Sequence, residues 1–384
     1  MNHENRLVKY LMDSEYFKHY ALTPNVNTVL TELINKIDNA LNKIDNDKKM
    51  QFTLIKDNFK FKREDTTYFS EEIQTEIIKN YSEGVKITYS AGNFDITLNF
   101  YKMRNNKIGE KKILNYARYM LAWLLVVKGY ESDDCVKNLL VDIFLTKHKK
   151  QLPEKREHVI GAKNVNTAYT YRCMHGSTSI KLYREEDLMK VFFHETFHTF
   201  NMDFLKTGKT EIREIFDVES SISIFESYCE TWARVIHSLF LAMIQSKNNR
   251  DVKEIIQYFT AILCIESQHS LLQAKKVFEH MDLRLEDALE NTRSLNIKFR
   301  EESHVFSYYF VTSLLMININ DFINYCVNNN VNILKFNPSN FDNYVILIKN
   351  SKNSLLTEKC VEYFNSNEIN ISDKNIKMVL FNMI

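Results

Sequence analysis

His194 and His198 stand four residues apart with Glu195 directly after the first, an HExxH pattern inside the apolar stretch 191–200. Residues four apart on an α-helix share a face, so the two imidazoles can converge on one metal ion. Glu195 sits beside that face, where a carboxylate can act as general base toward a metal-bound water. Val191, Phe192, Phe193, Phe197 and Phe200 flank the pattern and predict a helix buried inside a domain. Histidines buried in such surroundings need a partner, and a metal supplies one. The bland alternative is a core helix with two incidental histidines. Carboxylates further along the chain weigh against it.

Catalytic zinc takes three protein ligands and leaves one position open. With two histidines on one helix, the third ligand comes from elsewhere. The segment 218–239 carries an apolar stripe of Val218, Ile222, Phe225, Cys229, Trp232, Ile236 and Leu239. Glu226 and Glu230 lie four apart along its edge, and carboxylates beside a buried face need a counter-charge. Glu226 is assigned as the ligand, with Glu230 holding a ligand histidine through its other ring nitrogen. The reverse assignment stays open, and Glu219 is a weaker third choice. A solvated acidic edge is the non-functional reading of the same pair.

Hydrolysis of an acyl group by a metal-bound water also needs a donor for the developing oxyanion, commonly a Tyr or His. His304 and Tyr308 are four apart in a segment with helical spacing. Tyr308 is the preferred donor, with His304 or Tyr309 as alternatives and an aromatic packing stripe as the plain reading. His175, His237, His269 and His280 do not fall at ligand spacing with a carboxylate and read as packed or surface histidines.

These groups must be positioned by a sizeable core, which 384 residues can supply. The chain has 7 Gly and 3 Pro, with no Gly after Gly208, so its C-terminal half should be helical. Spacing predicts helices over 26–41 and 110–127 and a hairpin over 85–101 turning at 91–93. It predicts strands at 166–172 and 178–183, and a helix or strand at 136–146. The acidic run 184–188 should open the motif helix, and a polar loop surrounds 206–209. Helical spacing then runs through 211–246, 251–281, 303–331, 340–350, 353–364 and 373–383.

Net charge of +1 demands neither nucleic acid nor an anionic membrane as partner, and lysines at 147–155 read as a solvated loop. The N-terminus lacks the apolar run of a secretory signal, and the apolar runs at 119–127 and 305–319 read as buried helices. The six cysteines form no C-x-x-C pair and are expected to be reduced, buried thiols. An intracellular location is expected.

HExxH followed by Glu226 and Glu230 on the next long helix resembles the gluzincin branch of zinc metallopeptidases, which includes thermolysin. In thermolysin-like members an acid four residues after the ligand Glu orients a ligand histidine. Phe225 stands where those families often carry Asn, and the glycine-containing metzincin extension after His198 is missing. The elements 165–170, 183–186, 194–198, 226–233 and 306–310 also resemble uncharacterised metallopeptidases of large DNA viruses. The resemblance spans about half the chain, centred on 160–315. It implies an α+β, mostly α, zincin-like fold, with a small mixed sheet before the motif helix and a helical subdomain after it. It implies a host cytoplasm or virion location, and a strand at 178–183 or a neighbour that binds substrate by strand addition.

The expected organisation is an N-terminal α+β region (1–150), a zincin-like catalytic domain (151–330) and a helical extension (331–384). The expected activity is zinc-dependent peptide-bond hydrolysis through a zinc-bound water activated by Glu195, with zinc on His194, His198 and Glu226. No amino-terminus-binding motif is present, which points to an endopeptidase. The alternative is a non-catalytic zinc-binding structural or host-interaction protein, and a non-peptide amide is a third substrate class.

Overall fold

The structure, a computed structural model, describes residues 3–47, 49–56, 59–62, 69–103, 109–204, 209–220, 222–246, 251–367 and 373–383. The chain is α+β and divides into two compact units. One, the sheet unit, comprises Glu32–Lys150 and Asn166–Met202. The other, the helical unit, comprises Met1–Thr31, Gln151–Val165 and Asp203–Met383.

The sheet unit is built on six strands: β1 (Gln51–Ile55), β2 (Glu83–Ala91), β3 (Phe94–Lys102), β4 (Val136–Phe144), β5 (Ala168–Thr170) and β6 (Gly176–Leu182). Their spatial order is β1-β2-β3-β4-β6-β5. The β3–β4 and β4–β6 pairs are parallel and the other pairs antiparallel. β2 and β3 form the expected hairpin. Ala91 pairs with Phe94, and Gly92 takes φ +66°, which a residue with a side chain adopts at a cost. The branched segment at 136–146 resolves as a strand over Val136–Phe144.

Side-chain alternation divides the sheet into two faces. Ile87, Leu98, Val141 and Ile180 form one register row and are buried. Helices Glu110–Tyr130 and Leu188–Thr199 pack on this side. On the opposite face, Tyr101 and Phe144 stack at 4.8 Å in an aromatic cluster with Phe69, Tyr169 and Tyr183, capped by helix Glu71–Asn80.

The motif helix does not begin in the acidic run. It starts at Leu188, with Asp187 as a left-handed N-cap at φ +59°. The three acids before it have cationic or N–H partners instead. Glu185 pairs with Lys112 and Lys147, Glu186 accepts the Lys150 N–H, and Asp187 pairs with the buried Lys150 ammonium at 2.9 Å. Two cysteines also depart from the reduced reading. β4 and β6 start side by side, so Cys135 and Cys173, 38 residues apart in sequence, meet and form a disulfide. The other four cysteines are free and buried.

In the helical unit the expected 211–246 segment is broken into Lys209–Ile215 and Ile224–Gln245. The loop expected at 206–209 lies largely outside the described residues. Long helix Val252–His280 follows, then a π-helix at Phe306–Val311 continuing into Thr312–Ile317 and Ile319–Asn329. No single helix among the described residues is long and apolar enough to cross a membrane. The pair Phe306–Ile317 and Ile319–Asn329 bends by 91° and is largely buried.

The segment 373–383, expected as a helix, is an extended tail. Its apolar residues Ile376, Met378, Val379 and Leu380 are buried, but its backbone is held by side chains from other elements. Lys276 donates to the Asn375 carbonyl, and the Tyr309 hydroxyl donates to that of Ile376 at 2.8 Å. Glu266, fully buried on Val252–His280, accepts the N–H groups of Leu380 and Phe381 at 2.9–3.0 Å. These contacts replace the intrahelical bonds the spacing suggests.

Burial pushes the Glu266 carboxyl up to about 7, against the opposing pull of the Phe381 and Leu380 N–H groups and the Arg234 and Lys377 charges. A carboxyl raised above its unfolded value adds stability below about pH 4.5 that is lost as pH rises through about 7. Raising the pH from about 5 to about 8 should therefore increase amide exchange at 376–383, and Glu266→Gln should flatten that dependence. An equal rise in wild type and variant would contradict this.

Candidate metal centre

The motif helix Leu188–Thr199 is buried along most of its length because phenylalanines surround the polar positions. Its orientation is set from behind. The Trp123 indole N–H donates to Thr196 Oγ1 at 2.9 Å, and the Trp123 ring meets Phe193 edge-on at 5.6 Å. Thr199 donates to the Glu195 carbonyl at 2.8 Å, and its hydroxyl meets that of Thr170 on β5 at 2.8 Å. Beyond the helix end, the Cys173 N–H donates to the Thr199 carbonyl at 3.3 Å. Arg172 donates to Asn201 at 3.0 Å. Together these contacts fix both rotation and height of the helix against the sheet.

On the other side of the helix, His194 Nε2 and His198 Nε2 lie 3.1 Å apart, with the rings inclined at 75°. His194 is buried and His198 half-buried. Two metal–nitrogen bonds of about 2.05 Å at a tetrahedral angle place their nitrogens about 3.3 Å apart. The pair therefore has the donor chemistry and spacing of two ligands on one ion. Glu195 is buried beside them. Tyr183 is near it: burial pushes the phenol above its ordinary range, Arg184 opposes this, and the Glu195 carboxylate adds to the rise.

The helical unit holds the carboxylates. Helix Ile224–Gln245 carries Glu226 in its first turn, where the helix dipole favours an anion, and Glu230 one turn on. Both are buried. Glu230 accepts from Arg234 Nε at 2.9 Å, and Arg234 is itself fully buried. Arg234 also donates from Nη2 to the Tyr308 carbonyl at 3.5 Å, and its charge acts on Glu266. Glu230 thus belongs to a buried ion pair, a role that sequence reasoning missed. The i,i+4 Glu–Arg spacing on one helix is the signal that could have found it.

Tyr308 lies in the π-helix and donates its backbone N–H to the His304 carbonyl at 3.0 Å. His304 precedes that helix at φ +55°, so the two do not form a regular helical i,i+4 pair as the spacing suggests. Single π turns are often found at functional sites. Tyr309 donates its hydroxyl to the Ile376 carbonyl at 2.8 Å.

Histidine, glutamate and cysteine side chains among the described residues form groups that could hold a metal ion. Cys135, Cys173 and His175 are one such group within the sheet unit, but its two sulfurs are already bonded to each other. The structure brings His194, Glu195 and His198 together on one helix, and groups Glu230 with Arg234 and the Tyr308 backbone on another set of elements. Glu226 stands one turn from Glu230. The chain matches no protein-family profile, no curated protein and no solved structure.

Arg234→Met would leave the buried Glu230 carboxylate without its guanidinium. Breaking one half of a buried pair costs about 3–5 kcal/mol, so a large fall in unfolding free energy is expected by urea denaturation. Thr196→Val, which removes the acceptor of the Trp123 N–H and the hydroxyl's own bond to the Phe193 carbonyl, should cost less, about 1–3 kcal/mol. Similar small losses in both variants would mean that Arg234 does not compensate Glu230.

Proposed function

We propose that this chain is a zinc-dependent peptidase of gluzincin type, with His194, His198 and Glu226 holding the metal. The observation that carries the reading is the 3.1 Å approach of the two imidazole nitrogens beside Glu195. Two neutral imidazoles and one carboxylate are a ligand set used by catalytic zinc, and they leave room for a fourth group. Zinc held there would supply Lewis-acid polarisation of a carbonyl and lower the pKa of water.

The remaining steps belong to the chain. Glu195 takes the proton from the attacking water and returns it to the departing amine nitrogen, so that peptide and water become acid and amine. Tyr308 is the proposed donor to the oxyanion, with His304 as the alternative. Glu230, held by Arg234, keeps its carboxylate buried one turn from Glu226. A substrate chain adding to the sheet would use β5. β6 has β4 on one side and β5 on the other, whereas β5 among the described residues pairs with β6 alone. The mixed sheet followed by a largely helical region supports a zincin-like fold, and the motif elements support kinship with metallopeptidases of large DNA viruses.

The purified protein with zinc present should cleave an unstructured protein such as casein. Glu195→Gln should abolish cleavage while retaining the metal, because the amide cannot accept the proton and Glu195 is not a ligand. Full activity in that variant would remove the base assignment. Stoichiometric zinc with no turnover on any peptide library would favour the non-catalytic, structural reading.

A further inference from the structure

The sheet face opposite the motif helix is only partly filled by its aromatic cluster. The rest forms a trough of about 1630 Å³, lined on one side by Lys56, Phe59, Lys60 and Lys62. Strand register sets its floor. Lys86, Asn99, Asp142 and Lys181 are successive partners on β2, β3, β4 and β6. Thr97, Leu140 and Ser179 make the adjacent row. Exposed Leu54, Leu140 and Met174 add apolar surface to the same lining, so the trough offers both polar and apolar contacts.

Its charge is one-sided. Lys56, Lys60, Lys62 and Lys86 line the trough and are exposed, and Lys181 lies at its floor. Asp95 and Asp142 are the acidic residues of the described lining. Both already accept hydrogen bonds, Asp95 from Ser90 Oγ at 2.5 Å and Asp142 from Asn99 Nδ2 at 2.9 Å. Those neutral donors leave both carboxylates charged, but the five lysines outnumber the two aspartates, so the described lining is net cationic.

We infer that this trough docks an extended, acidic segment of a partner polypeptide. The lysines meet its carboxylates, and the Asn, Ser and Thr side chains of the floor can donate to and accept from its main chain. From β2 to β6 is three strand spacings, about 14 Å, the reach of about four extended residues. A single-stranded nucleic acid fits less well, because it needs free rings for base stacking. Of the three aromatic rings in the described lining, Phe59 and Tyr101 pack on each other at 5.5 Å, Phe59 also packs on Phe144 at 4.7 Å, and Tyr171 meets Tyr169 edge-on at 6.1 Å. The described lining also contains no arginine. The inference goes beyond the peptidase reading and does not depend on it.

The test is fluorescence anisotropy on the full chain with a labelled peptide of about ten residues alternating Glu and Thr, beside its Gln–Thr counterpart and a thymidine oligonucleotide. The Glu peptide should bind, weaken as salt rises, and exceed the Gln peptide by at least about tenfold. Lys56→Glu, Lys60→Glu and Lys86→Glu combined should abolish binding. The matching Lys→Gln triple variant, which adds no repulsion, should weaken it by a smaller factor. All three positions are exposed, so the thermal midpoint should stay near that of wild type. Equal binding of the Glu and Gln peptides, no effect of the substitutions, or no binding at all would overturn the inference. Tighter binding of the oligonucleotide than of the Glu peptide would overturn it in favour of a nucleic-acid surface.

Discussion

Two imidazole nitrogens held 3.1 Å apart on a largely buried helix are the constraint around which the sheet unit is arranged. Neutral imidazole is polar, and placing two of them among phenylalanines is costly unless something rewards the placement. The surrounding contacts keep the helix from turning the pair away. Trp123 holds Thr196, Thr199 is tied to β5, and the chain after the helix is tied back through Cys173 and Arg172. Each contact lies away from the histidines, so it fixes the site without occupying it. This is the division of labour expected of a preorganised ligand pair.

The helical unit solves a different problem, the burial of charge. Glu230 and Arg234 pair at 2.9 Å with almost no exposure, and Glu266 lies within the field of the same arginine. Such pairs are poor sources of stability but become very costly when one member is removed. They fix geometry. Here the fixed helix is the one that carries Glu226, and the same cluster reaches the π-helix through the Tyr308 carbonyl and the C-terminal tail through Glu266. A long helix, a π turn and an extended tail are thus tied to one buried guanidinium.

The legible part of the molecule was the part governed by local periodicity. The His194–His198 face follows from helix geometry alone, as does the Glu226–Glu230 edge. The β2–β3 hairpin follows from Gly92 and Asn93 between alternating runs. What periodicity could not show depended on partners distant in sequence. The tail at 373–383 has helical spacing but takes its hydrogen bonds from Glu266, Lys276 and Tyr309. Cys135 and Cys173 meet because β4 and β6 are parallel neighbours, a pairing no spacing of cysteines reveals. The acids at 185–187 have the composition of a first helical turn, yet Lys112, Lys147 and Lys150 draw them into the loop before it. Arg234 was within reach of the i,i+4 rule, and its importance follows from burial rather than spacing.

The most direct measurement is metal content by elemental analysis of the protein purified with zinc present, beside His194→Ala and Glu226→Ala. About one zinc per chain in the wild type, lost in both variants, is the expected result for a three-ligand site. A wild-type protein that retains no zinc would contradict the central claim. Zinc that survives Glu226→Ala but not His194→Ala would keep the histidine pair and overturn the assignment of Glu226 as third ligand.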